Sequence, residues 1–316
     1  MGNNIKQEIN KIEIPEELSD RSKTGISQAK KEMHKGRKRF NGKFIGVAAA
    51  LFLSIGAFVL FNNFSSNGTS GHSEALIVNE DGSVEIPALQ LPEDTSNADM
   101  IGLIVYNGKV YTQTRTEIDA EDAKALLGEK LGTTTGTIDE WSTQEAYDDE
   151  FASTIGVTDV YSVNGYDKDF RIMAYHEQDG GQYAEFYENL DGITISSGED
   201  VFGKLNMFGN VSTAEWRTFT DWNNDIENYK PISDMAVLNA FLEELNKAKP
   251  LAREQNSDPI GDFRNDEVYR ELIIHLDDGS RVSLTLLKDG YIYYGFMAVY
   301  FEMDEGVFST MWEQLQ

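Results

Sequence analysis

The apolar positions of this chain fall into two regimes. From Phe44 to Phe61 they are continuous: FIGVAAALFLSIGAFVLF has 18 residues with no charge and no proline, and Ser54 is its only polar side chain. As a helix rising about 1.5 Å per residue, such a run comes close to spanning the ~30 Å hydrocarbon core of a bilayer. Beyond residue 75 the apolar positions alternate in short runs broken by turn residues, the pattern of half-buried strands.

Ala75–Val78 and Val84–Ile86 flank Asp81-Gly82, and Gly102–Tyr106 and Val110–Thr114 flank Asn107-Gly108. Each pair predicts a hairpin, because both turn types accept positive φ. Strands are predicted at Val157–Val163, Phe170–Tyr175 and Gln182–Tyr187, and again at Tyr269–Leu276, Val282–Leu287 and Tyr291–Phe296. Helices are predicted from Ala120 to Leu131, briefly from Val201 to Met207, from Pro231 to just before Pro250, and from Glu305 to Gln316. In the third of these, Ile232, Met235, Leu238, Phe241, Leu242 and Leu245 share one face. The expected fold class is α+β: one transmembrane helix, then a domain of antiparallel sheets with a few helices. A helix followed by hairpins in 230–316 echoes the order in 120–190. The divisions are therefore a tail at 1–43, the helix at 44–61, a Gly/Ser-rich linker at 62–74, and two subdomains at 75–228 and 229–316, with a single unit as the alternative.

Charge gives this plan a direction. Residues 1–43 hold 11 Lys/Arg against 6 Asp/Glu, whereas residues 62–316 hold 16 against 48. Lys30, Lys31, Lys35, Arg37, Lys38, Arg39 and Lys43 crowd the near side of the apolar run, and no Lys or Arg follows it until Lys109. The positive-inside bias places the N-terminus in the cytoplasm and residues 62–316 outside, in the cell membrane as a single-pass protein. A cleaved signal peptide fits less well, since the preceding region is long and no A-x-A site follows. The acidic part repels nucleic acid and anionic lipid. The chain has no cysteine, which excludes disulfides, thiol nucleophiles and Cys-based zinc sites.

Motifs for chemistry are weak. Gly198 to Lys204 has phosphate-loop spacing, but Leu205 stands where a hydroxyl should hold magnesium. Asp221, Asn223 and Asp225 alternate as in a calcium loop, yet Ile226 and Ile232 replace the required glycine and glutamate. The four histidines (His34, His72, His176, His275) have no paired spacing, and no G-x-S-x-G elbow occurs. No enzyme, metal or cofactor is expected. Tyr183, Phe186, Tyr187, Tyr291, Tyr293, Tyr294 and Phe296 read as core, with some alternating outward where they would line a groove for an unknown extracytoplasmic ligand.

The tail carries a thin apolar stripe, Leu18, Ile26, Ala29 and Met33, too sparse to fold alone and suited to docking on a protein partner. The competing reading is a solvated segment held to anionic lipid by Lys35, Arg37, Lys38, Arg39 and Lys43. The residues Ile5 to Ile9, Ile14-Pro15-Glu16-Glu17-Leu18 and Gly25 to Glu32 resemble the N-terminal tails of transmembrane anti-sigma factors of Gram-positive bacteria. Those proteins hold an extracytoplasmic-function sigma factor at the membrane. The His/Cys zinc motif of one large class is missing, so the resemblance is to the zinc-free kind. It covers about forty residues and the layout of tail, span and outer domain, and it implies a signalling role with a sigma factor as cytoplasmic partner. The alternative is a membrane-anchored cell-envelope binding protein with no regulatory role. Protease added to protoplasts should remove residues beyond 61 and spare a small N-terminal fragment; protection of the large domain would refute the topology.

Overall fold

The computed structural model describes residues 76–88, 101–139, 142–178, 181–253, 263–295 and 297–316. The tail, the 44–61 run and the linker lie outside the described residues. Among the described residues no helix is long and apolar enough to cross a membrane.

The described residues form three sheets, antiparallel at every pairing, and a few helices. A small sheet joins β1 (Ile77–Val78), β2 (Val84–Glu85) and β10 (Thr194–Ile195) in that order. A six-stranded sheet runs β3 (Leu103–Tyr106), β4 (Lys109–Thr112), β9 (Gly181–Glu188), β8 (Arg171–Gln178), β7 (Asp159–Val163), β6 (Leu127–Thr133). The β3–β4 turn is Asn107-Gly108, at φ 54° and 68°, as a two-residue hairpin requires.

The eight-stranded sheet begins at β12 (Lys230–Pro231), β11 (Val211–Thr218), β14 (Tyr269–Leu276) and β15 (Ser280–Leu287). It continues through β16 (Tyr291–Tyr293) and β17 (Val299–Glu302) to β13 (Lys249–Ala252). β5 (Thr116–Ile118) pairs with the first half of β15, through Ser280↔Ile118 and Val282↔Thr116. Its second half pairs with β16. A strand from the N-terminal part of the chain thus lengthens a sheet built from its C-terminal part. β11, also on the N-terminal side of residue 228, is the neighbour of β14 in that sheet.

The helical pattern from Ala120 yields α1 (Ala120–Leu126) and then changes to strand β6. Gly128 and Gly132 weaken a helix and suit close pairing instead: a Cβ at Gly132 would lie 2.2 Å from the Phe151 ring. Val201–Met207 forms one 3-10 turn, Gly203–Leu205, instead of an α-helix, and a second such turn, Gly198–Asp200, precedes it. After α2 (Phe219–Asn223), the long apolar face becomes α3 (Met235–Leu245). Pro231 sits in β12, and the helix starts later because Asp234 caps it, accepting from the Ala236 and Val237 amides at 3.0 and 3.1 Å. The last helix, α4 (Glu305–Glu313), is capped in the same way by Asp304.

Alternation along β14 and β15 splits the eight-stranded sheet into two unlike faces. Leu272, Ile274, Leu276, Val282, Leu284 and Leu286 pack with Leu238, Phe241, Leu242 and Leu245 of α3 and with Phe308 and Met311 of α4. This is the largest hydrophobic core of the described residues. The other face carries Arg217, Tyr269, Glu271, Thr285, Tyr291 and Tyr293, and the short α2 packs against it through Phe219 and Trp222. Leu238→Ala or Phe241→Ala should cost about 2–5 kcal/mol in urea unfolding of a 75–316 fragment. Near-zero cost for both would contradict the core assignment, as would a fragment that stays unfolded.

Candidate functional site

Two arginine-centred clusters stand out, one sealed and one half-open. In the sealed one, Arg171 on β8 and Glu188 on β9 are direct register partners, and both are completely buried. Arg171 donates from Nε at 3.0 Å and from Nη2 at 2.5 Å to Glu188 Oε1. Tyr294, just past β16, donates its hydroxyl to Glu188 Oε2 at 2.6 Å, and its oxygen lies 2.7 Å from Thr116 Oγ1. Three rings lie against the guanidinium, with centroid distances of 4.1 Å to Tyr166, 4.8 Å to Phe186 and 5.7 Å to Phe170. Burial works against the Arg171 charge, but the attraction of Glu188 outweighs it and leaves the pKa raised. Burial and the Glu188 charge also push the Tyr294 hydroxyl far up. Beside this cluster the Tyr166 hydroxyl donates to Asp278 Oδ2 at 2.7 Å. The arrangement ties the six-stranded sheet to the eight-stranded one, and it offers no accessible group to a ligand.

The half-open cluster lies on the face of the eight-stranded sheet opposite α3 and α4. Arg217, Glu271, Thr285 and Tyr293 occupy one register row across β11, β14, β15 and β16. Arg217 donates from Nε to Glu271 Oε2 at 2.5 Å, and Arg115 approaches Glu271 Oε1 with Nη1 at 3.8 Å. Arg115 is positioned by its own carbonyl, which accepts from the Ser283 amide at 2.8 Å. Aromatic rings surround the pair. Arg217 lies 5.1 Å from the Tyr229 centroid and Arg115 lies 5.6 Å from that of Trp222. Trp222 in turn meets Tyr269 and Phe219 at 5.5 and 5.7 Å. Burial opposes the Arg217 charge, but Glu271 leaves its pKa raised. Burial likewise pushes the Tyr229 hydroxyl up. Arg217 therefore stays charged against Glu271.

A third polar group, Glu185 on β9, accepts from the Tyr183 hydroxyl, from Gln113 Nε2, and from the Tyr187 hydroxyl at 3.0 Å. His176 stacks on Tyr183 with centroids 5.1 Å apart, and His275 Nε2 lies 3.1 Å from Glu215 Oε1. Neither histidine meets a serine and a carboxylate in the geometry of a nucleophilic triad.

Among the residues singled out by sequence, Phe186, Tyr187 and Tyr294 are core, while Tyr183, Tyr291 and Tyr293 are half-buried. Tyr293 belongs to the half-open cluster, as an outward-alternating position should. Leu18, Ile26, Ala29, Met33, Lys35, Arg37, Lys38, Arg39 and Lys43 lie outside the described residues, as does Phe296. Asp221 is engaged by its own fold, accepting from Thr218 Oγ1 at 3.1 Å and from Asn228 Nδ2 at 3.1 Å. Among the described residues no group of three or more His, Cys, Asp or Glu is placed to hold a metal ion. In the phosphate-loop spacing, Asp200 turns back to accept from the Ser196 and Ser197 amides, so the loop is filled by its own acid. The arginine clusters had no sequence signature, because Arg115, Arg217 and Glu271 are brought together only by strand register.

No protein-family model matches the chain, and neither a curated protein nor a solved structure is significantly similar to it.

Arg171→Met should destabilise the fold by about 3–5 kcal/mol in urea unfolding, because it strands a buried carboxylate; the double change Arg171→Met with Glu188→Leu should recover most of that loss. The pH dependence has a definite sign at Asp278. Burial pushes this carboxyl up, but hydrogen bonds from Ser280 and Tyr166 outweigh it and leave the pKa lowered. Its stabilisation is therefore full above the ordinary carboxylate range and is lost as pH falls through the lower folded value. Tyr166→Phe should weaken that acid dependence, and an unchanged profile would count against the contact.

Proposed function

We propose that this chain is a single-pass membrane regulator of anti-sigma type. In this reading, residues 1–43 bind a sigma factor in the cytoplasm and the acidic domain senses a ligand outside the cell. The observation that carries the reading is the reversal of charge across 44–61, from net +5 in residues 1–43 to net −32 in residues 62–316. A single uncharged segment between such unlike halves suits a protein working on both sides of a membrane. The tail is longer than topology requires, since a few basic residues would set orientation equally well. Its stripe of Leu18, Ile26, Ala29 and Met33 suits a groove on another protein, and its sequence resembles tails that make such a contact. The half-open face around Arg217 and Glu271 gives the domain a surface where polar groups and rings converge, as ligand sites do.

A second reading has its own support. The run from Lys35 to Lys43 explains attraction to anionic lipid without any protein partner. The chain would then be a membrane-anchored envelope binding protein. Mutation separates the two. Leu18→Glu with Ile26→Glu should abolish capture of a sigma factor by the tail while membrane insertion persists. If deletion of residues 1–30 leaves transcription from every sigma-dependent promoter unchanged, the signalling reading fails and the envelope reading replaces it.

A further inference from the structure

Glu271 cannot match the two arginines that approach it. It meets Arg217 Nε at 2.5 Å but reaches Arg115 only at 3.8 Å, beyond hydrogen-bond length. Arg217 Nη1 is buried with no hydrogen-bond partner, on a side chain only 7% exposed. A buried donor left unmatched carries the full penalty of its lost hydration. Such a cost at an ion pair on a half-open face is a reason to look for an acceptor that arrives from outside.

We propose that Arg217 and Arg115 bind the carboxylate of a small organic acid that also carries a ring, with Trp222 and Tyr229 forming the walls. Three observations select this class. The first is pairing: two guanidinium groups approach the single carboxylate of Glu271, and one further carboxylate would give the second arginine a partner. A dianionic phosphate would bring a second negative charge against Glu271 and is disfavoured relative to a monoanion. The second is geometry: a planar carboxylate accepts from guanidinium donors side by side. The third is the rings. Tyr229 is 37% exposed and lies 5.1 Å from the Arg217 guanidinium, and half-buried Trp222 lies 5.6 Å from that of Arg115. A ligand ring therefore meets aromatic faces beside the charge, where stacking and cation–π contact both favour it. Tyr229 sits at the exposed edge of the cluster, on the side from which the acid enters. The assignment concerns the folded domain alone and does not rest on what the tail binds.

The test is equilibrium dialysis of the full-length chain, held in detergent, against labelled N-acetylphenylalanine. Saturable binding of one molecule per chain in the millimolar range is expected. The uncharged amide of the same compound, and acetate without the ring, should each bind about tenfold more weakly. Arg115→Gln leaves the buried Arg217–Glu271 pair in place and should weaken binding about tenfold at unchanged circular dichroism. Tyr229→Ala, at an exposed position, is the second variant and should also weaken it. The proposal is overturned by the absence of saturable binding, by equal affinity for the acid and its amide, or by wild-type affinity in both variants. Tighter binding of inorganic phosphate than of N-acetylphenylalanine overturns it as well.

Discussion

The two large sheets meet on an ion pair that neither could bury alone. Arg171 and Glu188 face each other within the six-stranded sheet, yet the second oxygen of Glu188 is satisfied by Tyr294, which follows β16 in the eight-stranded one. Removing two charges from water costs several kcal/mol per ion and is offset only when geometry and further hydrogen bonds are good. Here the further bonds come from across the seam, and the Tyr166 and Phe186 rings cover the guanidinium. β5 reinforces the same junction by pairing with β15 next to Thr116. The polar core of one sheet is thus closed by groups from the other, and loosening the seam exposes a charge pair to incomplete solvation.

The two faces of the eight-stranded sheet are unlike. Its inner face gains its stability from α3 and α4 in the ordinary way, with aliphatic side chains from β14 and β15 against two amphipathic helices. Alternation then forces the intervening residues to the other side. That side mixes rings with polar groups, and Arg217, Glu271, Thr285 and Tyr293 stand in a single row.

How legible this was from sequence follows from the same physics. Hairpins whose turns carry Asn-Gly or Asp-Gly and whose strands alternate cleanly were readable, as were the two capped amphipathic helices. β11 was not, because a strand reading VSTAEWRT presents ionic residues to one face and only Ala214 and Trp216 to the core. β13 was hidden by Pro250, which serves both as the stop after α3 and as a residue of an edge strand, where a missing amide costs little. β6 was mistaken for more helix because propensity at Ala120 to Leu127 favours helix, whereas the pairing with β7 that redirects the chain is a tertiary effect. That some of the strand aromatics alternate outward was visible; that these are Tyr291 and Tyr293 follows from their register with β15. The partners that give the face its charge were not, since Arg115 and Arg217 lie 102 positions apart and meet at Glu271 only through register.

The two arginine clusters use the same parts and differ in one respect. Each pairs a guanidinium with a carboxylate, places rings against it and leaves one Nη1 atom unmatched. Arg171 is enclosed by three rings and wholly buried, so its unmatched donor is held by the packing around it. Arg217 has Tyr229 beside it, a ring more than a third exposed. Solvent reaches that ring, whereas Phe186 is part of the core. A second arginine, Arg115, shares the carboxylate at Arg217 but has no counterpart at Arg171. In a domain this acidic, attraction of an anion from a distance is weak, and screening confines any favourable field to about 8 Å at physiological salt. Recognition of an anion must then come from donors it touches in a partly desolvated place, which the Arg217 cluster provides and the Arg171 cluster, sealed on both sides, does not.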